Sequence, residues 1–144
     1  MSGPAVERTR GSYPTLDEFA QLEFDPESFD HAAHVYVGWA LATTYPLDDA
    51  IRRFADTLRR LTRSLNVEGK YHETITWFFM ILIAERQTAT QATTWEEFAA
   101  ANDDLLNDSK TLLESHYSPA RLWSEQARQQ FLMPDSVMRD LTQD

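Results

Sequence analysis

From Ile75 to Ala84 the chain reads Ile-Thr-Trp-Phe-Phe-Met-Ile-Leu-Ile-Ala. A helix made of these residues has no wet face, and such a helix belongs in the middle of a bundle. A strand can look like this locally, but the length of the flanking segments favours a helix from roughly Gly69 to Gln87. A second segment shares the property. Asp25-Pro26-Glu27 is a start signal, with Asp25 as cap and Pro26 in the first turn, where its missing N–H costs nothing. The helix it opens carries Ala32, Ala33, Val35, Val37, Trp39, Ala40 and Leu41. It should run to about Thr44, because Tyr45 precedes a proline and is pushed out of helical geometry. Gly38 lets another backbone come close.

Between these two lies a helix of the ordinary kind, starting at Pro46 with Asp48 and Asp49 at its positive end. Leu47, Ile51, Phe54, Leu58 and Leu61 form one apolar stripe, and Arg52, Arg53, Arg59 and Arg60 lie mainly off it. A short amphipathic stretch, Leu16 to Phe19, precedes the three long helices. After them, Thr94-Trp-Glu-Glu97 forms a capping box. A further helical segment covers about Asp108 to Glu114, and Ser118-Pro119 opens a last one carrying Leu122, Trp123, Ala127 and Phe131 until Pro134 stops it. No alternating run bounded by Asn-Gly or Asp-Gly turns appears, and there are only four glycines. The expected fold is all-α, an irregular helical bundle of five to seven helices with two buried central helices. Residues 1–14 read as a loose N-terminal arm, and 15–144 as a single helical domain without internal repeats.

Composition narrows the function classes. The 144 residues carry a formal net charge of −10, which repels phosphate backbones and anionic headgroups, so neither nucleic acid nor membrane is an expected partner. There is no cysteine, which rules out disulfides, zinc–thiolate sites, iron–sulfur clusters and cysteine nucleophiles, and fits a reducing cytoplasm. The start has no apolar h-region. The longest apolar run, Trp77 to Ala84, is far short of the roughly 20 residues that span a bilayer. A cytoplasmic, soluble protein is expected.

The residues that carry chemistry are polar ones set into the two apolar helices. His31 and His34 are spaced i, i+3 and can project from one face. The other helix begins Tyr71-His72-Glu73-Thr74-Ile75-Thr76. Short connections make consecutive helices antiparallel, so the first and third long helices should run parallel with their N-termini at one end. At 1.5 Å of rise per residue, the heights of His31, His34 and His72 differ by only about 3 to 8 Å. Helices packed about 8–10 Å apart would let these side chains meet.

Imidazoles from two helices with a carboxylate nearby suit a divalent transition metal, zinc or iron foremost. In that reading His31, His34, His72 and Glu73 are ligands, with His72 and Glu73 the catalytic pair and Glu73 able to act as base on a metal-bound water. Tyr36, Tyr71, Thr74 and Thr76 would orient the ligands or touch the substrate. His116, in Glu114-Ser-His-Tyr-Ser118, is a turn residue before it is a further ligand. Histidines near helix N-termini are also commonly satisfied by a backbone carbonyl, and Glu73 suits a first turn for the dipole alone.

At Phe29-Asp-His-Ala-Ala-His34, Tyr71-His-Glu-Thr-Ile-Thr76 and Pro134-Asp135, the chain resembles a family of small bacterial all-helical proteins with no assigned activity. The resemblance covers about Phe24 to Asp135 and implies no reaction. In architecture alone it is also similar to the DinB-like bundles, which hold a metal with histidines from separate helices; their H-x-x-x-H pair is replaced here by His31-x-x-His34.

Three functions compete. The leading one is a small metal-dependent enzyme acting on a small molecule, which requires at least three of the named side chains to converge on one point. The second is a metal-free pocket with a hydrogen-bonded His–Glu pair for acid–base work. The third is a non-catalytic ligand-binding or protein-interaction module, a possible homodimer, in which the histidines bond backbone carbonyls, no cavity lies between the two apolar helices, and an exposed aromatic patch marks the interface. No P-loop, dinucleotide fingerprint, nucleophile elbow or H-E-x-x-H is present.

Overall fold

The computed structural model describes residues 13–135, and every regular element among them is helical. Nine α-helices follow in order: α1 (Leu16–Ala20), α2 (His31–Thr44), α3 (Leu47–Ser64), α4 (Glu73–Thr90), α5 (Trp95–Ala101), α6 (Asp103–Asn107), α7 (Ser109–His116), α8 (Pro119–Leu122) and α9 (Glu125–Gln129). Single turns of 3-10 helix, Pro26–Ser28 and Glu68–Lys70, precede α2 and α4. No described helix is long and apolar enough to cross a membrane. Most of the expected arm lies outside the described residues. Its last two do not: Pro14 is buried, and Tyr13 stacks on Tyr36 with ring centroids 4.8 Å apart.

Both central helices start later than their sequence signals. Asp25 and Pro26 do nucleate helical geometry, and Asp25 Oδ1 accepts from the Glu27 N–H, but only one 3-10 turn forms. Phe29 leaves the helical region to bury its ring against Phe19 and Phe24, and Asp30 then caps α2 by accepting from the Ala33 N–H. The core contact of Phe29 thus overrides the earlier cap. Likewise Gly69 and Lys70 belong to a 3-10 turn, and α4 begins at Glu73 with His72 as its cap. The last expected helix is two: Ser124 turns extended and caps α9, separating it from α8.

Helices α2, α3 and α4 form the centre. Buried Ala50, Ile51, Phe54, Ala55 and Leu58 line the inner face of α3, at the spacing that one helical stripe requires. The arginines of its other face are held by acids on the same helix: Arg52 and Arg53 by Asp49, Arg60 by Asp56. In α2, Val35, Val37 and Leu41 are buried, and in α4 Phe78, Met80 and Ile83.

Contacts between α2 and α4 run in the same order along both. His31 meets the ring of Phe79, Gly38 faces Met80 and Ile83, and Trp39 Nε1 donates to Gln87 Oε1 at 2.8 Å. The two helices are therefore parallel, with their N-termini at one end. Beyond them, Trp95, Phe98 and Leu105 of α5 and α6 cover Val35 and Ile83. The chain then returns across α4, where Thr74 holds the segment after α8. Its hydroxyl lies 2.7 Å from the Ala127 carbonyl and 2.9 Å from that of Gln130, and accepts from the Leu132 N–H.

At Gly38 side chains of α4 lie against the backbone of α2. A Cβ there would lie 3.0 Å from Ile83 Cδ1 and 3.1 Å from Met80 Sδ, closer than ordinary packing distances. Gly38→Val should therefore cost about 1–3 kcal/mol by overpacking, read as a lower urea midpoint and Tm.

Candidate functional site

A cavity of about 280 Å³ opens between the N-terminal ends of α2 and α4 and the C-terminal half of α3. Its wall is mainly apolar, with Val35, Phe54, Leu58, Leu61, Ile75 and Phe79 contributing. Into this wall are set His31, His34, His72, Tyr71 and Thr76, five of the residues singled out in the sequence. Parallel α2 and α4 bring them to one end.

The histidines have different duties. His72 is 6% exposed and has both nitrogens committed. Its Nε2–H donates to the Leu122 carbonyl at 2.7 Å, and its Nδ1 accepts from the Ile75 N–H at 3.2 Å. It is a neutral helix cap that also ties α8 to α4. The carbonyl partner fixes its tautomer, since Nε2 must carry the proton.

His34 donates from Nδ1 to the Asp30 carbonyl at 2.9 Å, which leaves the lone pair on Nε2. That nitrogen has no hydrogen-bond partner among the described residues, and no polar side-chain atom sealed from solvent is left without one. Nε2 is therefore open to solvent. The ring is held between Phe29, with centroids 4.3 Å apart, and the edge of Phe54. Burial, and secondarily the neighbouring His31, pulls its proton affinity below the ordinary value of 6.5. His31 is arranged in mirror fashion: Nε2–H donates to the Leu105 carbonyl at 2.8 Å, so its Nδ1 keeps the lone pair.

Glu73 does not join them. Its Oε1 accepts from Arg59 Nη2 at 2.7 Å and from the Tyr71 hydroxyl at 2.6 Å, and its Oε2 from Trp77 Nε1 at 3.1 Å. It sits on the side of α4 that meets Arg59 of α3, off the cavity wall. Burial, reinforced by the bond to Glu73, raises the Tyr71 pKa well above that of a free phenol. Thr76 spends its hydroxyl on the His72 carbonyl. Tyr36 turns to the ring cluster of Tyr13 and Trp95, and Thr74 to the chain after α8. His116 packs on Phe78 and bonds the Leu112 carbonyl, away from the cavity.

The three discriminating arrangements thus divide. Among the described residues no group of three or more His, Asp or Glu side chains is placed to hold one metal ion. No histidine is hydrogen-bonded to Glu73. All three cavity histidines do bond backbone carbonyls, as a non-catalytic module would have them, yet a cavity remains between the helices. Sequence reasoning missed two polar liners, Thr62 and Lys70. Lys70 had a signal: it is one of two lysines in the chain and stands immediately before Tyr71-His72.

Burial is the main cause that lowers the proton affinity of both His34 and His72. The unfolded chain then binds more protons near and below pH 6.5, so stability is complete above that value and falls as pH drops through it. The urea midpoint should be lower at pH 5.5 than at pH 7.5. His72→Ala should cost about 2–4 kcal/mol, the sum of a lost cap and an unpaired buried carbonyl. His72→Asn, which can still cap, should lose less and show a shallower pH dependence.

No protein-family model, curated protein or solved structure matches the chain, and what the cavity can do follows from its own chemistry.

Proposed function

We propose that the protein binds a small, mainly apolar molecule in the cavity between α2, α3 and α4, with His34 Nε2 accepting a hydrogen bond from the molecule's hydroxyl or N–H group. The observation that carries this reading is the open lone pair of a neutral imidazole set into an apolar wall. A ligand that covers this nitrogen and expels its water loses free energy unless it supplies a donor in return, so the site selects one that does. Size sets the scale of the molecule. A cavity near 150 Å³ takes benzene, so one of about 280 Å³ has room for a two-ring compound. Ligand sites generally combine such walls with a few fixed polar groups.

A metal-dependent enzyme draws support from the same wall in one respect: the lone pairs of His31 Nδ1 and His34 Nε2 are both uncommitted. Water or substrate would then have to supply the remaining ligands.

Titration calorimetry with 2-naphthol and 2-methoxynaphthalene separates the readings. In the wild type, 2-naphthol should bind about tenfold more tightly, the worth of one desolvated hydrogen bond. The preference should vanish in His34→Phe, which keeps the ring against Phe29 and Phe54. Equal affinity for the two compounds would sink the assignment of His34, and no binding of either would sink the cavity reading. Binding unchanged by EDTA is expected here, whereas the metal reading requires bound zinc or iron that is lost in His34→Phe.

A further inference from the structure

The ligand's charge can be read from the cavity's margin. Lys70 is the one formally charged side chain among the residues that line the cavity. It stands on the 3-10 turn that leads into α4, is exposed, and forms no ion pair among the described residues. Six of the ten lysines and arginines among the described residues form ion pairs, and Lys70 is the one unpaired cation that lines the cavity. On α3, by contrast, Asp49, Asp56 and Glu73 hold four of the five arginines.

A second cation lies beside the same turn. Arg128 of α9 donates from Nη1 to the Gly69 carbonyl at 3.1 Å and has its guanidinium 5.8 Å from the centre of the Trp123 ring. It too forms no ion pair among the described residues, and its charge is one of the causes that make His72 harder to protonate, after burial. No acid near this margin forms an ion pair with Lys70 among the described residues. Glu73 is engaged by Arg59, Tyr71 and Trp77, and exposed Glu68 is not part of the wall. An apolar cavity therefore opens past an ammonium that is held in no ion pair among the described residues.

We infer that the molecule bound in this cavity is a monoanion, an aromatic or branched aliphatic carboxylate whose carboxyl group is held by Lys70 at the margin while its apolar body lies between α2, α3 and α4. This rests on the cavity reading proposed above and adds the charge and orientation of the ligand. One ammonium in the wall balances one negative charge, which suits a carboxylate better than a doubly charged phosphate monoester. The four-carbon stem of a lysine can lie along the apolar wall while its head follows the ligand. Together with the acceptor on His34, the arrangement specifies a body with a donor group and a separate carboxylate.

The test compares 6-hydroxy-2-naphthoate with 2-naphthol by calorimetry on the full chain and on Lys70→Gln, an exposed change that should leave the fold intact. In the wild type the carboxylate should bind about tenfold more tightly, as a charge-assisted hydrogen bond provides. The advantage should shrink as KCl rises from 0.1 to 1 M, where the screening length falls from about 10 to about 3 Å. In Lys70→Gln the two compounds should bind alike, with 2-naphthol unaffected. If 2-naphthol binds and the carboxylate gains nothing, or if the gain survives Lys70→Gln, the inference is overturned and the cavity reading stands. If neither compound binds, both fall together.

Discussion

Everything in this bundle depends on the contact at Gly38. Because Met80 and Ile83 lie directly on the backbone of α2 there, two helices without a polar face approach closely at mid-length. The approach fixes their relative height, so that α2 and α4 begin at one end. It also concentrates the contact in the middle, leaving the first turns to be spaced by rings: Phe54 from α3, Phe79 from α4, and the imidazoles of His31 and His34. Flat, polar-edged side chains at that level do not close the gap as leucines would, and the cavity is what remains.

How much of this was legible depended on what each residue was reporting. The apolar run from Ile75 to Ala84 and the stripe of α3 report burial directly, so the all-helical architecture and its central helices could be read from periodicity. Gly38 was legible for the same reason, as a missing side chain in a buried helix. Helix starts were less so, since Asp25-Pro26 and Asp30 are both competent caps, and the choice between them is made by Phe29 packing on Phe19 and Phe24. That is a tertiary decision that no local signal carries.

The site shows the same division. His31, His34 and His72 could be placed at one level from helix rise and topology alone, and they do share a wall. Which way each ring nitrogen points could not be read, because the partners of His31 and His72, the carbonyls of Leu105 and Leu122, lie on distant parts of the chain. Glu73 was attractive because it adjoins His72 in sequence, but His72 is the extended cap and Glu73 the first helical residue, and this one turns to Arg59. Of three histidines, one is a cap and a strut, and two offer a single nitrogen each. Chemistry that looked like a cluster in sequence is split between one imidazole with both nitrogens committed and two with one nitrogen open.

The clasp at Thr74 has a consequence for the order in which the molecule assembles. Thr74 and His72 join the first turn of α4 to partners 50 to 58 residues further along the chain through carbonyls and an N–H, beside the apolar contacts of Leu122 with Phe78 and of Phe131 with Trp77. Bonds of that kind have no anchorage until α4 exists, and contacts so distant in sequence are entropically costly to close early. The expected order therefore has the segment carrying α8 and α9 dock after α4 has formed. The wall of the cavity at His72 is thus completed by a carbonyl from a distant part of the chain, that of Leu122.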